Sequence, residues 1–247
     1  MRAKKSGFTL AETLITLGII GVVAAITIPG LSNKIRGKRL QTQFKKTYSE
    51  LNQAAKTFYA ETDMPLRDYS DTVYNGSYNS TQTLEEFMKY FKGVTTNAAW
   101  YSRSFDKLHN IKNLNLKGEE VEQWPCDESN VFVDMAGRLY SMDNMPQGYE
   151  ELGEVGPKIC VDINGIDKPN KWGVDRFVFV FLGDNSVVPY TGTSWASLTR
   201  QYTDEKLIKQ YCNTTMDAPA FTCAYFALKN MSPEGNGDYW NNFLKGK

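Results

Sequence analysis

One carboxylate, Glu12, stands at the head of an otherwise apolar run from Thr13 to Ile28, just after a Gly7-Phe8 pair that closes a short basic leader. Placing a carboxylate in hydrocarbon costs about 2.5–3.5 kcal/mol on insertion scales, so a chain that keeps one there has a use for the charge. A lone carboxylate in an apolar helix wants a cation, and pairing with one offsets the desolvation that a single buried charge leaves unmet.

Two other groups of residues could do chemistry. Four cysteines, Cys126, Cys160, Cys212 and Cys223, lie in the second half with no C-x-x-C spacing, and His109 is the single histidine. Behind an export segment, two disulfides suit them better than a zinc site, and four cysteines allow three pairings. The stretch Asp162 to Asp175 includes Asp162, Asn164, Asp167, Asn170 and Asp175. Oxygen ligands at that density suit calcium, with Asp162, Asn164, Asp167 and Asp175 as the candidate set, although the spacing is not that of an EF-hand. The plainer role for these residues is turn capping through their own backbone. A catalytic set is missing: there is no nucleophile with a partnering His, no glycine-rich phosphate loop and no metal-ligand spacing. The chain reads as a non-enzyme that needs no cofactor, calcium apart.

The elements that position these groups follow from periodicity. Phe8 to Ile28 is 21 residues, about 31 Å as a helix and enough to cross a bilayer. Gly18, Gly21 and Ala24-Ala25 would let another helix come close. Pro29, with Gly30 and Gly37 nearby, predicts a break or a melted stretch over 29–38. Beyond it Ile35, Leu40, Phe44, Tyr48, Leu51, Ala55, Phe58 and Tyr59 recur at spacings of mostly three and four, which predicts an amphipathic helix ending near Asp63. The segment 71–83 reads as an exposed loop, and a helix is expected from Leu84 with Thr83 as its cap. Strands are expected at Asn130–Asp134, Arg138–Met142, Lys158–Ile163, Arg176–Leu182 and Ser186–Val188, turned by Ala136-Gly137, Asn164-Gly165 and Gly183-Asp184-Asn185. Four or five antiparallel strands against a long helix make an α+β head.

Net charge is zero only in sum. Residues 1–49 carry nine Lys and Arg against Glu12 alone, leaving 19 basic and 27 acidic residues beyond. An acidic head argues against nucleic-acid binding there. Charge does not orient the apolar segment, because Lys34, Arg36, Lys38 and Arg39 balance Arg2, Lys4 and Lys5. Three readings fit this amino terminus. A cleavable secretory signal would end at Val23-Ala24-Ala25, a simple anchor would stay uncut, and the third reading is a resemblance.

Gly7-Phe8-Thr9-Leu10-Ala11-Glu12-Thr13-Leu14 resembles the amino terminus of type IV prepilins and type II secretion pseudopilins. Gly21 and Pro29 extend the match. The resemblance implies cleavage between Gly7 and Phe8 by a prepilin peptidase, N-methylation of Phe8, and pairing of Glu12 with a neighbouring subunit's amino terminus. It also implies a single pass through the inner membrane with the head outside the cytoplasm. The partners would be homologous subunits and an inner-membrane assembly platform, and the product a periplasmic or surface filament. On this reading residues 1–7 are leader, 8–31 a transmembrane and polymerisation helix, 32–63 the amphipathic helix of the head, 64–125 a variable region, and 126–247 the sheet and carboxyl-terminal region. Cys212–Cys223 resembles the disulfide that bounds a carboxyl-terminal loop in many type IV pilins. Cys126–Cys160 would then tie the entry of the first strand to the strand at Ile159.

Overall fold

The computed structural model describes residues 9–73, 80–91, 94–122, 125–144, 155–192 and 203–247. Its spine is one helix of 53 residues, α1 (Leu10–Thr62), about 80 Å long. The break expected over 29–38 is absent, and Pro29 lies inside the helix. A proline forfeits one i→i−4 hydrogen bond, here to Ala25, and the helical residues on both sides outweigh that local loss. α1 stops where the sequence places its end. Asp63 is left-handed (φ 54°), and its N–H donates to the Tyr59 carbonyl at 2.8 Å.

The second half of α1 is amphipathic as its spacing predicts. Gly37, Leu40, Phe44, Thr47, Leu51, Ala54, Ala55 and Phe58 form one buried stripe. It packs on a six-stranded antiparallel sheet, β1 (Val94–Tyr101), β2 (Asn130–Asp134), β3 (Leu139–Asp143), β4 (Val155–Asp162), β5 (Arg176–Leu182) and β6 (Val187–Pro189), whose order in space is its order in the chain. The fold is α+β, with one strand more than expected because β1 pairs with β2 at the edge. Phe44 meets Phe177 and Phe179 with ring centroids 4.7 and 5.7 Å apart, and Phe181 meets Phe87 at 4.8 Å.

Residues of β5 between those phenylalanines point the other way, as strand alternation requires. Val178 and Val180 stand opposite Cys160 and Lys158 of β4, and Lys158 stands opposite Asp143 of β3. This second face is covered too, since Val178 and Val180 are fully buried. Part of its cover comes from α4 (Ser102–Leu108) and the chain that follows, which reaches Arg176 through Asp106 and Cys160 through Cys126.

The region 64–125 holds more regular structure than its sequence suggests. Leu66–Thr72 is a helix (α2), and α3 (Ser80–Met88) begins before the expected Thr83 cap. Much of the expected loop is therefore helical, and its residues 74–79 lie outside the described ones. Thr83 is buried, and its hydroxyl accepts from Asn144 Nδ2 at 2.9 Å instead of capping.

The carboxyl terminus folds back over α1. After α5 (Glu205–Gln210) and α6 (Cys223–Lys229), a π-helical turn, Tyr239–Phe243, places Trp240 against Phe44 and Phe177 at 5.4 and 5.9 Å. The Trp240 indole donates to the Ala227 carbonyl at 3.1 Å, which locks α6 to that turn.

Candidate functional site

Among the described residues, the first half of α1 is left largely exposed. From Leu10 to Ile35 its large apolar side chains are more than half exposed, among them Leu14 at 62%, Ile20 at 63% and Ile26 at 75%. An 18-residue window there has mean hydropathy 2.3 and no buried residue, so this stretch is long and apolar enough to cross a membrane. Gly18, Gly21 and Gly30 have open space where a Cβ would stand, which leaves smooth ground for a second helix.

Glu12 sits in the first turn, and a capping box built with Thr9 holds it. The Thr9 hydroxyl accepts from the Glu12 N–H at 3.2 Å, while the Glu12 carboxylate accepts from the Thr9 N–H and hydroxyl, both at 2.8 Å. Such a box satisfies amides that a helix start leaves without partners, and the helix dipole favours the negative charge there. Thr9 is the site residue that reasoning from charge and hydrophobicity overlooks. The signal is legible all the same, as a Thr three residues before a Glu ahead of an apolar run. Gly7 and Phe8 lie outside the described residues.

The oxygen-rich stretch is drawn together, but its carboxylates are engaged by the protein itself. Arg176 donates to Asp162 and to Asp106, each at 2.9 Å, and to Asn113 at 3.2 Å. Asp175 accepts from the backbone N–H groups of Asn170 and Lys171 at 3.0 and 2.6 Å. Asn164 donates to the Asp167 carbonyl at 3.0 Å, and Asp167 itself is exposed. Burial pushes the Asp175 carboxyl up to about 6, and burial with the neighbouring Asp175 charge holds Asp162 well above the usual range against the pull of Arg176. Among the described residues no group of three or more His, Cys, Asp or Glu is arranged to hold a metal ion. Asp162, Asn164 and Asp175 organise the turn between β4 and β5. Gly165 there has φ 71° and lies so close to the Gly137 carbonyl that a Cβ would not fit.

The four cysteines form Cys126–Cys160 and Cys212–Cys223. The first ties the chain after α4 to β4. The second closes the approach to α6, where Cys223 packs beside Gly173.

A match to a known family model falls on this same amino-terminal region. Residues 2–28 match the family model described as the prokaryotic N-terminal methylation motif. The chain carries a prokaryotic N-terminal methylation motif. The matched segment includes Gly7, Phe8, Thr9 and Glu12. The type IV major pilin protein PilA of Myxococcus xanthus is similar, 38% identical over 68 residues, which are 28% of this chain and 29% of the relative. The chain thus spans under a third of the length of that curated relative. No solved structure matches it significantly.

Proposed function

We propose that the chain is the precursor of a structural filament subunit, cleaved between Gly7 and Phe8, N-methylated at Phe8, and built into a type IV pilus-like filament through α1. The observation that carries this reading is a largely exposed apolar half-helix with a single carboxylate in its first turn. Before assembly the half-helix rests in the inner membrane with the head outside the cytoplasm. Thr9 keeps the Glu12 charge hydrogen-bonded until the ammonium of a neighbouring subunit replaces that local partner. Prepilin peptidase, homologous subunits and an inner-membrane assembly platform are the partners implied, and the relative named as a major pilin supports a pilus. A type II secretion pseudopilin shares the same amino terminus, and the location of the filament distinguishes the two: shearing releases a surface pilus, whereas a pseudopilus stays in the periplasm.

Replacing Glu12 with Ala tests the reading. Insertion and leader cleavage should persist while subunits accumulate in the membrane and filament yield falls at least tenfold. Filament yield equal to wild type would overturn it.

A further inference from the structure

On the sheet face away from α1, one ammonium is sealed inside the head with a single hydrogen bond among the described residues. The Lys158 side chain is 1% exposed, and it stands directly opposite Asp143 across the β3–β4 ladder. Its one hydrogen bond among the described residues runs to Asp143 Oδ2 at 3.3 Å, and the Tyr190 ring lies 6.0 Å away. An ammonium has three protons to donate, and an under-bonded buried charge is costly. A second carboxylate completes the cluster. The Glu128 N–H donates to Asp143 Oδ1 at 3.0 Å, and the Glu128 carboxyl accepts from Ser80 Oγ at 3.1 Å. The Cys126–Cys160 disulfide fixes this arrangement, because each of its cysteines lies two residues from a member of the cluster.

We propose that Lys158 and Asp143 condense into an intramolecular amide, with Glu128 as the proton carrier, so that a covalent strut joins β3 to β4. The first step is transfer of one proton along the 3.3 Å hydrogen bond from Lys158 Nζ to Asp143 Oδ2, which gives an amine and a carboxylic acid. The amine nitrogen attacks Asp143 Cγ and a C–N bond forms. Glu128 takes a proton from that nitrogen and returns it to the departing hydroxyl, so the C–O bond breaks and one water leaves. No oxidant or reductant is needed, and Glu128 ends as it began. Burial, with the Asp143 charge beside it, raises the Glu128 carboxyl to about 7, which suits a group that must both give and accept a proton near neutrality. Burial also raises Asp143, to about 6, which favours the acid form that the attack requires. Condensation removes both buried charges at once.

The sequence offers a clean test, because Glu150, Glu151 and Glu154 lie between the two residues. Full-length protein is extracted in detergent, reduced, and digested with a glutamyl endopeptidase. Tandem mass spectrometry should find the Asp143 and Lys158 fragments joined and lighter by one water, in most of the material. Lys158→Arg should separate them. Glu128→Gln, which keeps the backbone bond to Asp143, should lower the joined fraction at least tenfold. Separate fragments from the wild type would overturn the proposal without any appeal to a variant's folding. Fragments that stay joined in Lys158→Arg would place the link elsewhere, and equal joining in Glu128→Gln would remove Glu128 from the chemistry.

Discussion

The Trp240 carbonyl oxygen lies 2.5 Å from the point where a Cβ on Gly37 would stand, so α1 and the carboxyl-terminal π-helical turn meet backbone to backbone. Gly37→Val should therefore force the two apart. Glycine inside a helix costs roughly 1 kcal/mol relative to alanine, yet crowding a packed contact costs about 1–3 kcal/mol, so the clash wins. Urea unfolding of the detergent-solubilised protein should show that loss. Gly30→Ala, with open space around it, should be neutral or slightly stabilising.

The processing site is checked by the mass of the membrane form. Mature protein should begin at N-methylated Phe8, and Gly7→Val should retain the leader. A chain beginning at Ile26 would establish a secretory signal instead.

Acid should stabilise the head before it harms it. Burial raises the carboxyl groups of Asp106, Glu128, Asp162 and Asp175, with Glu128 at about 7 and Asp175 at about 6. Folded protein then binds more protons than unfolded protein between about pH 4 and 7, so stability rises as pH falls through that window. From pH 7.5 to pH 5 Asp175 should add about 1–2 kcal/mol, and the partly solvated Glu128 less. A urea midpoint that is flat or falls between those two pH values would contradict this.

The disulfides differ in the loops they close, with sequence separations of 11 and 34. Replacing both Cys212 and Cys223 with Ser should cost about 2–3 kcal/mol on the chain-entropy model, and the corresponding change at Cys126 and Cys160 somewhat more. Non-reducing peptide mapping checks the pairing itself, since a Cys160–Cys212 or Cys126–Cys223 peptide is incompatible with it.

Where a signal was local, the sequence showed it. The buried stripe from Leu40 to Phe58 is a period of three to four residues, and the helix end at Asp63 sits before Met64-Pro65. The strand β5 is an unbroken run of β-branched and aromatic residues. Where tertiary contacts decide, local reading went astray. Thr83 has the chemistry of a helix cap, but burial assigns its hydroxyl to Asn144. β1, Val-Thr-Thr-Asn-Ala-Ala-Trp-Tyr, has no apolar alternation to announce it, and pairing with β2 organises it. The carboxylates between Asp162 and Asp175 were visible as a cluster, but Arg176 and the backbone amides that engage them could be found only in three dimensions.

A sheet whose strands sit in space as they sit in the chain has a consequence for how the head is made. Each strand pairs with the one before it, so a polypeptide emerging amino end first can add strands one at a time, each meeting a partner already in place. Closing a loop between strands adjacent in the chain costs less entropy than joining distant ones, which favours rapid formation. The last piece to arrive, the turn carrying Trp240, closes onto Phe44 and Gly37 of the first helix. Completion of the head is thus registered on the stem, and a truncated chain would present α1 with its docking face bare.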